Sequence, residues 1–387
     1  MHYIRFLKAP RLIDNSMRNA PSSISAKITI TTDLGESFLR ANVTLDVLLV
    51  AEDESLVLVD PKELVWRGED GMRALEVAFQ IPARLKKSHE GPVRVIVKAR
   101  PMKTALGRSI RSFTSVLSQQ ESEGGIVEVG SMAIVLNPVP SKTVQPSLAR
   151  RQLWNGRGEA IEIWEETGES IARHVWDAGL VFSAYLSRVA DNLSLSKPQP
   201  KTLPVLEDVL LKGSRLKVIE LGAGCGIVGI TLASSLSNID QILLTDLPEA
   251  SEILETNIAA SRARKPANPS PSADVSHHVL DWSSPLRQPV SITKWDLVLV
   301  ADCTYNPDVV PDLVSTLGKL RAANREVLVA LAMKVRHESE MVFFELMERE
   351  GWAVREKCRF RLPVLGGEEE GIEVWVFGEG GLVSYRA

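Results

Sequence analysis

Gly222, Gly224 and Gly226 stand in the run ELGAGCGIVG, and Asp246 stands 20 positions beyond the last of them. Three glycines at alternate positions make a turn tight enough for a ligand to approach the backbone, because no Cβ intervenes. A carboxylate about 20 residues after such a turn is placed to accept hydrogen bonds from both hydroxyls of a ribose. That geometry disfavours a 2′-phosphate. The loop does not name its ligand. Gly224–Gly229 satisfies G-x-G-x-x-G, the turn that cradles a dinucleotide pyrophosphate. Gly222–Gly226 equally satisfies G-x-G-x-G, a turn that holds an amino-acid tail and a ribose. Glycines in such a run also serve plain helix–sheet packing, and Asp246 has an alternative use as a helix N-cap.

Those residues need a strand before the turn and a helix after it. Val218–Leu221 supplies the apolar run of a buried parallel strand, and Ile230, Leu232, Ala233 and Leu236 follow at helical spacing. Gln241–Thr245 reads as a second buried strand that ends on Asp246. Helix Glu249–Ala260 and a polar insertion, Ser261–His278, come next. Val279-Leu280 then leads to Asp281-Trp282 at the end of a third strand. In such a sheet that position faces the base, where a carboxylate accepts from an exocyclic amine and an indole stacks on the ring. Strand Trp295–Val300, helix Asp308–Leu320, strand Val327–Ala332 and helix Glu338–Glu350 continue the alternation. Two strands near Trp352–Phe360 and Ile372–Phe377, on either side of the loop Pro363–Gly371, close it as an antiparallel pair.

The 387 residues leave room for two domains. A net charge of −4 supplies no basic field for nucleic acid, and no apolar run reaches the length of a membrane span. Only Cys225, Cys303 and Cys358 are present, in no C-x-x-C pair, which argues for a reducing compartment with no disulfide framework and no zinc. His277 and His278 are adjacent, are placed on a loop and show no metal spacing, so the expectation is a metal-free protein. The basic start, MHYIRFLKAPRLIDNSMRNA, has the charge of an organelle transit peptide, but Pro10 interrupts any amphipathic helix. It reads as a cytoplasmic N-terminus.

In the first half, residues 25–50 alternate apolar and polar side chains around Asp33-Leu34-Gly35 and predict strand, turn, strand. Leu75–Ile81, Val93–Val97 and a pair within Ile126–Leu136 predict further strands, with a polar segment at Ser118–Gly125. No catalytic constellation accompanies them, so residues 1–150 are expected to be a β-rich domain that packs on the second half or docks a partner. Asn137–Pro146 reads as a linker. Beyond it, Ile161–Trp164 predicts a hairpin strand. Glu169–Val189 predicts an amphipathic helix with Trp176 and Asp177 in its middle, where a tryptophan is ordinarily core.

The set VWDAG, ELGAGCGIVG, LLTDLPE, LDW and VADCTY, in that order over residues 160–380, resembles the seven-β-strand protein lysine methyltransferases. The nearest group is methyltransferase family 16, which modifies chaperones and translation elongation factors. The resemblance implies an α/β fold, a Rossmann-like seven-stranded sheet of order 3-2-1-4-5-7-6 over residues 151–387, with the β-rich domain before it. It implies S-adenosyl-L-methionine over the strand ends. By position it puts Trp176, Glu220, Gly222, Ala223 and Gly224 in the cofactor shell, with Asp246, Asp281, Trp282 and Ala301. Asp302 and Tyr305, the Asp-x-x-Tyr motif, fall where the family places the target lysine. Structural uses compete here too: Asp302 as a cap of helix 308–320, Tyr305 as simple packing. Residues 1–150 lie outside the resemblance.

The implied enzyme transfers methyl groups to a lysine of a protein substrate. It is expected as a cytoplasmic monomer, with the nucleus as an alternative, acting on neither membrane nor nucleic acid. A small-molecule methyltransferase, a non-catalytic interaction module and an NAD-dependent oxidoreductase compete with it. The oxidoreductase lacks an obvious hydride-transfer partner, and the intact Gly222–Gly226, Asp246 and Asp302 argue against the non-catalytic module.

Overall fold

The computed structural model describes residues 1–13, 22–100, 108–117, 125–137, 148–167, 171–193, 195, 199–211, 215–263, 273–362 and 370–380. The chain divides into two compact units. The first is formed by Met1–Leu153 and Glu162–His174, the second chiefly by Trp154–Ile161 and Val175–Leu362 with the chain from Glu370 onward.

The first unit is built of short strands: β1 (His2–Ile13), β2 (Ser23–Thr31), β3 (Asn42–Ala51), β4 (Lys62–Arg67), β5 (Leu75–Gln80), β6 (Val93–Ala99), β7 (Arg108–Ile110), β8 (Gly125–Val127), β9 (Val129–Ser131), β10 (Leu148–Trp154) and β11 (Ala160–Glu166). Two one-turn helices, α1 (Ala83–Ser88) and α2 (Phe113–Val116), interrupt them. The strands form one sheet of order β5-β2-β1-β8-β7 and another of order β11-β10-β9-β6-β3-β4. Strand β3 shows why they pack as a sandwich. Val43, Leu45, Val47 and Leu49 alternate inward, joining Ile4, Phe6, Ile28 and Ile30 of the other sheet in one core. Trp66 is fully buried there, its indole nitrogen donating to the Leu39 carbonyl at 2.8 Å. Arg151 and Glu165 form a buried ion pair at 2.7 Å, which ties Glu165 into this unit.

Four expectations change here. The strands flanking Asp33–Gly35 exist and Thr31 bridges antiparallel to Phe38 across the turn, but β2 and β3 go on into different sheets. The pair within Ile126–Leu136 is likewise split, β8 to one sheet and β9 to the other. The basic start is strand β1, with Tyr3, Ile4 and Phe6 buried between β2 and β8. Strand β10 pairs with β9 in a stretch that carried no strand signal, because Arg150 and Arg151 are buried there by ion pairs rather than by apolarity. The expected linker falls almost wholly outside the described residues, as does most of Ser118–Gly125.

The second unit consists of α3 (Asp177–Asn192), α4 (Pro204–Leu210), β12 (Leu216–Leu221), α5 (Ile227–Ser235), β13 (Ile239–Asp246), α6 (Ser251–Ala263), β14 (Asp274–Val279), β15 (Leu297–Ala301), α7 (Val310–Ala323), β16 (Leu328–Met333), α8 (Val342–Arg349), β17 (Trp352–Arg361) and β18 (Gly371–Glu379). Its sheet runs β14-β13-β12-β15-β16-β18-β17, which is the order 3-2-1-4-5-7-6. Strands β12 to β16 are parallel, and β18 turns antiparallel between β16 and β17. Parallel strands covered on both faces must be apolar throughout, and Leu297–Val300 and Leu328–Met333 are all buried. Gly229 lets α5 approach the sheet: a Cβ there would stand 2.4 Å from Leu244 Cδ2 and 2.8 Å from Glu220 Oε2.

Three boundaries shift. Helix α3 starts at Asp177, so Trp176 and Asp177 sit at its N-terminus and not in its middle. His277 and His278 lie on strand β14 and not on a loop, because that strand begins at Asp274 and pairs with β13 from Gln241 to Asp246. The rest of the expected insertion, 264–272, lies outside the described residues, as does most of the loop Pro363–Gly371. Helix α4, Pro204–Leu210, stands before β12 where no element was expected.

Candidate active site

Every candidate site residue but Trp176 lies at, or just beyond, the C-terminal end of a parallel strand, where open α/β sheets bind their ligands. Gly222–Gly226 follow β12, Asp246 ends β13, and Asp281-Trp282 follow β14. Ala301 ends β15 and leads into Asp302 and Tyr305.

The glycine turn is held from two sides. Gly222 has φ +67°, and a Cβ on it would lie 2.4 Å from Cys303 Sγ and 3.4 Å from the Trp282 ring. The turn therefore threads between the β15 tail and the β14 tail, and only glycine fits. Behind it, Ala223 N–H donates to the Thr245 carbonyl at 2.9 Å, and Asn257 Nδ2 donates to the Cys225 carbonyl at 2.8 Å. These bonds fix the loop to β13 and α6 before any ligand arrives.

Glu220 is buried beneath the turn. Its Oε2 accepts from the Gly229 amide at 2.8 Å, satisfying a donor in the first turn of α5. Burial pushes its carboxyl up to about 8; the Gly229 amide opposes this and the charge of Asp246 adds to it. Glu220 thus shapes the turn by holding the helix start through the Gly229 amide.

Asp246 does not cap the following helix. Its Oδ2 accepts from the Gly224 amide and its Oδ1 from the Leu247 amide, each at 2.7 Å. Burial raises its carboxyl above the ordinary range, against the pull of those two amides. One backbone donor per oxygen orients the carboxylate and leaves each oxygen a lone pair to offer. Asp281 is exposed; its Oδ1 accepts from the Ser283 hydroxyl and amide, which hold its carboxyl below the usual value. The Trp282 ring packs over the turn, and its buried indole N–H has no hydrogen-bond partner among the described residues.

Asp302 has φ +56°, one of two non-glycine residues with positive φ among the described residues. That conformation is uncommon for a side chain other than Asn or Asp. It is fixed by the Asp302 amide, which donates to the Ala332 carbonyl at 2.9 Å. The carboxylate meets Arg336 in a two-pronged ion pair, Nη1 to Oδ1 at 2.7 Å and Nη2 to Oδ2 at 2.8 Å. It does not cap α7, which begins at Val310. Tyr305 is half exposed, and partial burial raises its hydroxyl above the ordinary value, with Cys303, Asp246 and Asp302 adding to the effect.

The tail of β16 joins these parts. Lys334 Nζ reaches Asp177 Oδ2 at 3.1 Å and Glu370 Oε2 at 2.7 Å, while its amide donates to Asp302 Oδ1 at 3.4 Å. Asp177 is fully buried at the first position of α3, so Trp176 beside it is anchored to the same strand end as Asp302. The sequence reading missed Lys334, Arg336 and Asp177. A signal existed for the first two, since Lys-Val-Arg directly follows the apolar run of β16.

The sheet order and this strand-end crevice define a class I, seven-β-strand methyltransferase. A family model described as lysine methyltransferase matches residues 156–350, half of the chain, and the chain belongs to that family. It is a protein-lysine N-methyltransferase. Among its relatives, a UPF0665 family protein of Schizosaccharomyces pombe is 26% identical over 353 residues, covering 88% of this chain and 91% of its own length. The mouse protein N-lysine methyltransferase METTL21A is 34% identical over 187 residues, 48% of this chain and 71% of its own. The mouse EEF1A lysine methyltransferase 3 is 30% identical over 192 residues, 49% and 69% respectively.

Proposed function

We propose that this chain binds S-adenosylmethionine at the crevice between Gly222 and Trp282 and methylates a lysine presented at Asp302 and Tyr305. The observation that carries the reading is the pair formed by Asp246 and Gly224. A carboxylate pinned to the glycine turn by a backbone amide is preorganised to receive two ribose hydroxyls. The residues present fit an adenosyl group. Gly222 lets the turn pass between Cys303 and the Trp282 ring, that ring carries an unmet indole N–H, and Asp281 is exposed beside it. We place Ala223, Ala301 and Trp176 in the same shell by their positions at the glycine turn, the end of β15 and the N-cap of α3.

When bound, the cofactor supplies an electrophilic methyl carbon on a sulfonium. The chain's own residues do the rest. The glycine turn fixes one reactant, and Tyr305 with Asp302 bounds the approach of the other, so alignment supplies much of the acceleration. Tyr305 offers a hydroxyl to an amine nitrogen and a ring face to a cationic, methylated one. The Glu220 and Asn257 contacts keep the turn from relaxing during the cycle.

For the substrate we propose a translation elongation factor or a chaperone. The name of one relative, EEF1A lysine methyltransferase 3, supports the former. We assign to the first unit the docking of that substrate, supported by its lack of a catalytic constellation. We further propose a cytoplasmic monomer that needs neither nucleic acid nor membrane, in keeping with the net charge of −4.

The test is calorimetric titration with S-adenosylhomocysteine and then with NADH, followed by tritium transfer from labelled cofactor to elongation factor 1A. Binding of the first ligand only, with label on a lysine, is the expected result. Binding of NADH alone overturns the cofactor assignment, and label confined to small molecules overturns the protein substrate. Cross-links from the methylated protein that avoid the first unit overturn its docking role.

A further inference from the structure

We propose that Arg336 is a positioning residue for the transfer: by pairing with both oxygens of Asp302 it cancels that carboxylate's charge, so the target lysine settles there as a neutral amine and not as a trapped ammonium. This rests on the reading of Asp302 and Tyr305 as the lysine's neighbours.

The geometry is specific. Both guanidinium prongs are used, at 2.7 and 2.8 Å, and the Asp302 side chain is almost wholly buried. A planar fork matched to a carboxylate in this way is an arrangement lysine cannot copy. The backbone is bent into a left-handed conformation at Asp302 to present the carboxylate, and a strained residue of this kind is usual where a site requires it. Arg336 is itself held. Its amide donates to Glu340 Oε1 at 2.9 Å, and the same oxygen accepts from the His337 amide at 3.2 Å.

The chemistry gives the pairing a purpose. Nucleophilic attack needs the nitrogen lone pair, so the lysine must first lose a proton to water. A bare carboxylate beside it would stabilise the ammonium and oppose that loss. Once Arg336 has neutralised Asp302, the carboxylate oxygens still accept a hydrogen bond from an N–H of the neutral amine. The N–C bond then forms as the C–S bond breaks, the electron pair goes to sulfur, and charge passes to the methylated nitrogen.

Other charged and titratable groups face Asp302 from each packed element. From the β16 tail, the Lys334 ammonium is turned away to Asp177 and Glu370. From the 3-10 turn Glu338–Met341, Glu340 is taken up by the Arg336 and His337 amides and by the Thr304 hydroxyl at 3.4 Å, while the His337 ring engages Ser339. From the β13 tail comes Asp246, whose carboxyl burial raises. From its own segment come Cys303 and Tyr305, both raised by burial and so neutral at ordinary pH. Arg336 is thus a cation in direct, two-pronged contact with the carboxylate.

The test uses n-butylamine as a stand-in for the lysine side chain, titrated by calorimetry into the full chain saturated with S-adenosylhomocysteine, at pH 7 and pH 10. Wild type is expected to bind the amine better at pH 10, where more of it is neutral. Arg336→Met should reverse the preference, gaining about tenfold at pH 7, equivalent to about one pKa unit for the bound amine. Arg336→Lys should fall between the two. Unchanged pH preference in Arg336→Met overturns the proposal, as does a failure of the amine to bind either protein at either pH. Asp302→Asn separates the two levels of inference. If it leaves amine binding untouched, Asp302 does not border the lysine and the site reading itself fails. If it alters binding while Arg336→Met does not, only the role of Arg336 fails. Retained S-adenosylhomocysteine binding certifies that each variant is folded.

Discussion

The carboxylate of Asp246 lies 2.7 Å from the amide of Gly224, across the gap between the second strand end and the glycine turn. Two elements 22 residues apart in the chain are thereby locked into one ligand-facing edge. The turn and the acid act as a unit, and a change in either disturbs both.

Asp246→Asn keeps the shape but loses the charge and places a donor where an acceptor is needed. S-adenosylhomocysteine binding should weaken by about ten- to a hundredfold, the range set by losing charge-assisted hydrogen bonds. Isothermal titration measures it. Unaltered affinity would remove Asp246 from the ribose.

Asp302→Asn and Tyr305→Phe should behave in the opposite way. Neither touches the glycine turn, so S-adenosylhomocysteine affinity should stay within about twofold, while methyl transfer falls by roughly tenfold or more. Parallel binding and tritium-transfer assays on the same preparations decide it. If both variants lose the cofactor as badly as Asp246→Asn, the division between the two halves of the crevice is wrong.

Glu220 makes stability depend on pH. Its folded carboxyl is pushed up to about 8 by burial, whereas in an unfolded chain it releases its proton near about 4.3. The folded state therefore binds a proton that the unfolded state gives up. The associated stability is complete below the unfolded value and is lost as pH rises through about 8. Glu220→Gln keeps an acceptor for the Gly229 amide but has no proton to lose. Its melting temperature should fall less than that of wild type between pH 5 and pH 9, the gap amounting to a few kcal/mol, on the order of 3. Parallel melting curves across that range would exclude a titrating Glu220.

Two glycines should respond with opposite signs to the same substitution. Gly229→Ala forces a methyl into Leu244 and Glu220, and should cost about 1–3 kcal/mol. Gly318, inside α7, has its nearest neighbour, Glu350, at 3.4 Å, so Gly318→Ala should stabilise by about 0.5–1 kcal/mol through lower unfolded-state freedom. Urea denaturation reads both. A neutral Gly229→Ala would mean that the sheet and α5 are not in the close contact described.

The second unit was largely legible because its signals are local. Strands buried on both faces are dominated by apolar residues, and Val218–Ile219, Ile242–Leu244 and Val327–Ala332 are such runs. The glycine turn needs its residues in one stretch, and Asp246 follows at a spacing imposed by a single βα unit. The end of strand β14 was expected at Val279, but its start at Asp274 was not, because it is an edge strand whose Ser276, His277 and His278 are only partly buried, so no apolar run marks it. Arg336 was missed for another reason. Lys-Val-Arg marks a charged strand end, but the partner Asp302 is 34 positions earlier and the sequence does not name that pairing. The first unit resisted for a similar cause. Alternation located β2, β3, β5 and β6, but which sheet each strand joins depends on partners distant in the chain.

Strand β1 illustrates that distance and has a kinetic consequence. It sits third in its five-stranded sheet, and its partner on one side is β8, with His2 paired in parallel to Ile126. Strand β1 therefore cannot complete its sheet until more than a hundred later residues have been made. Closing so large a loop carries an entropic cost that must be met before the contacts repay it, which slows folding. During that interval Tyr3, Ile4 and Phe6 have β2 but not β8. The nascent chain thus presents a sticky half-built sheet edge, and synthesis of this protein would lean on whatever shields such edges until residue 127 emerges.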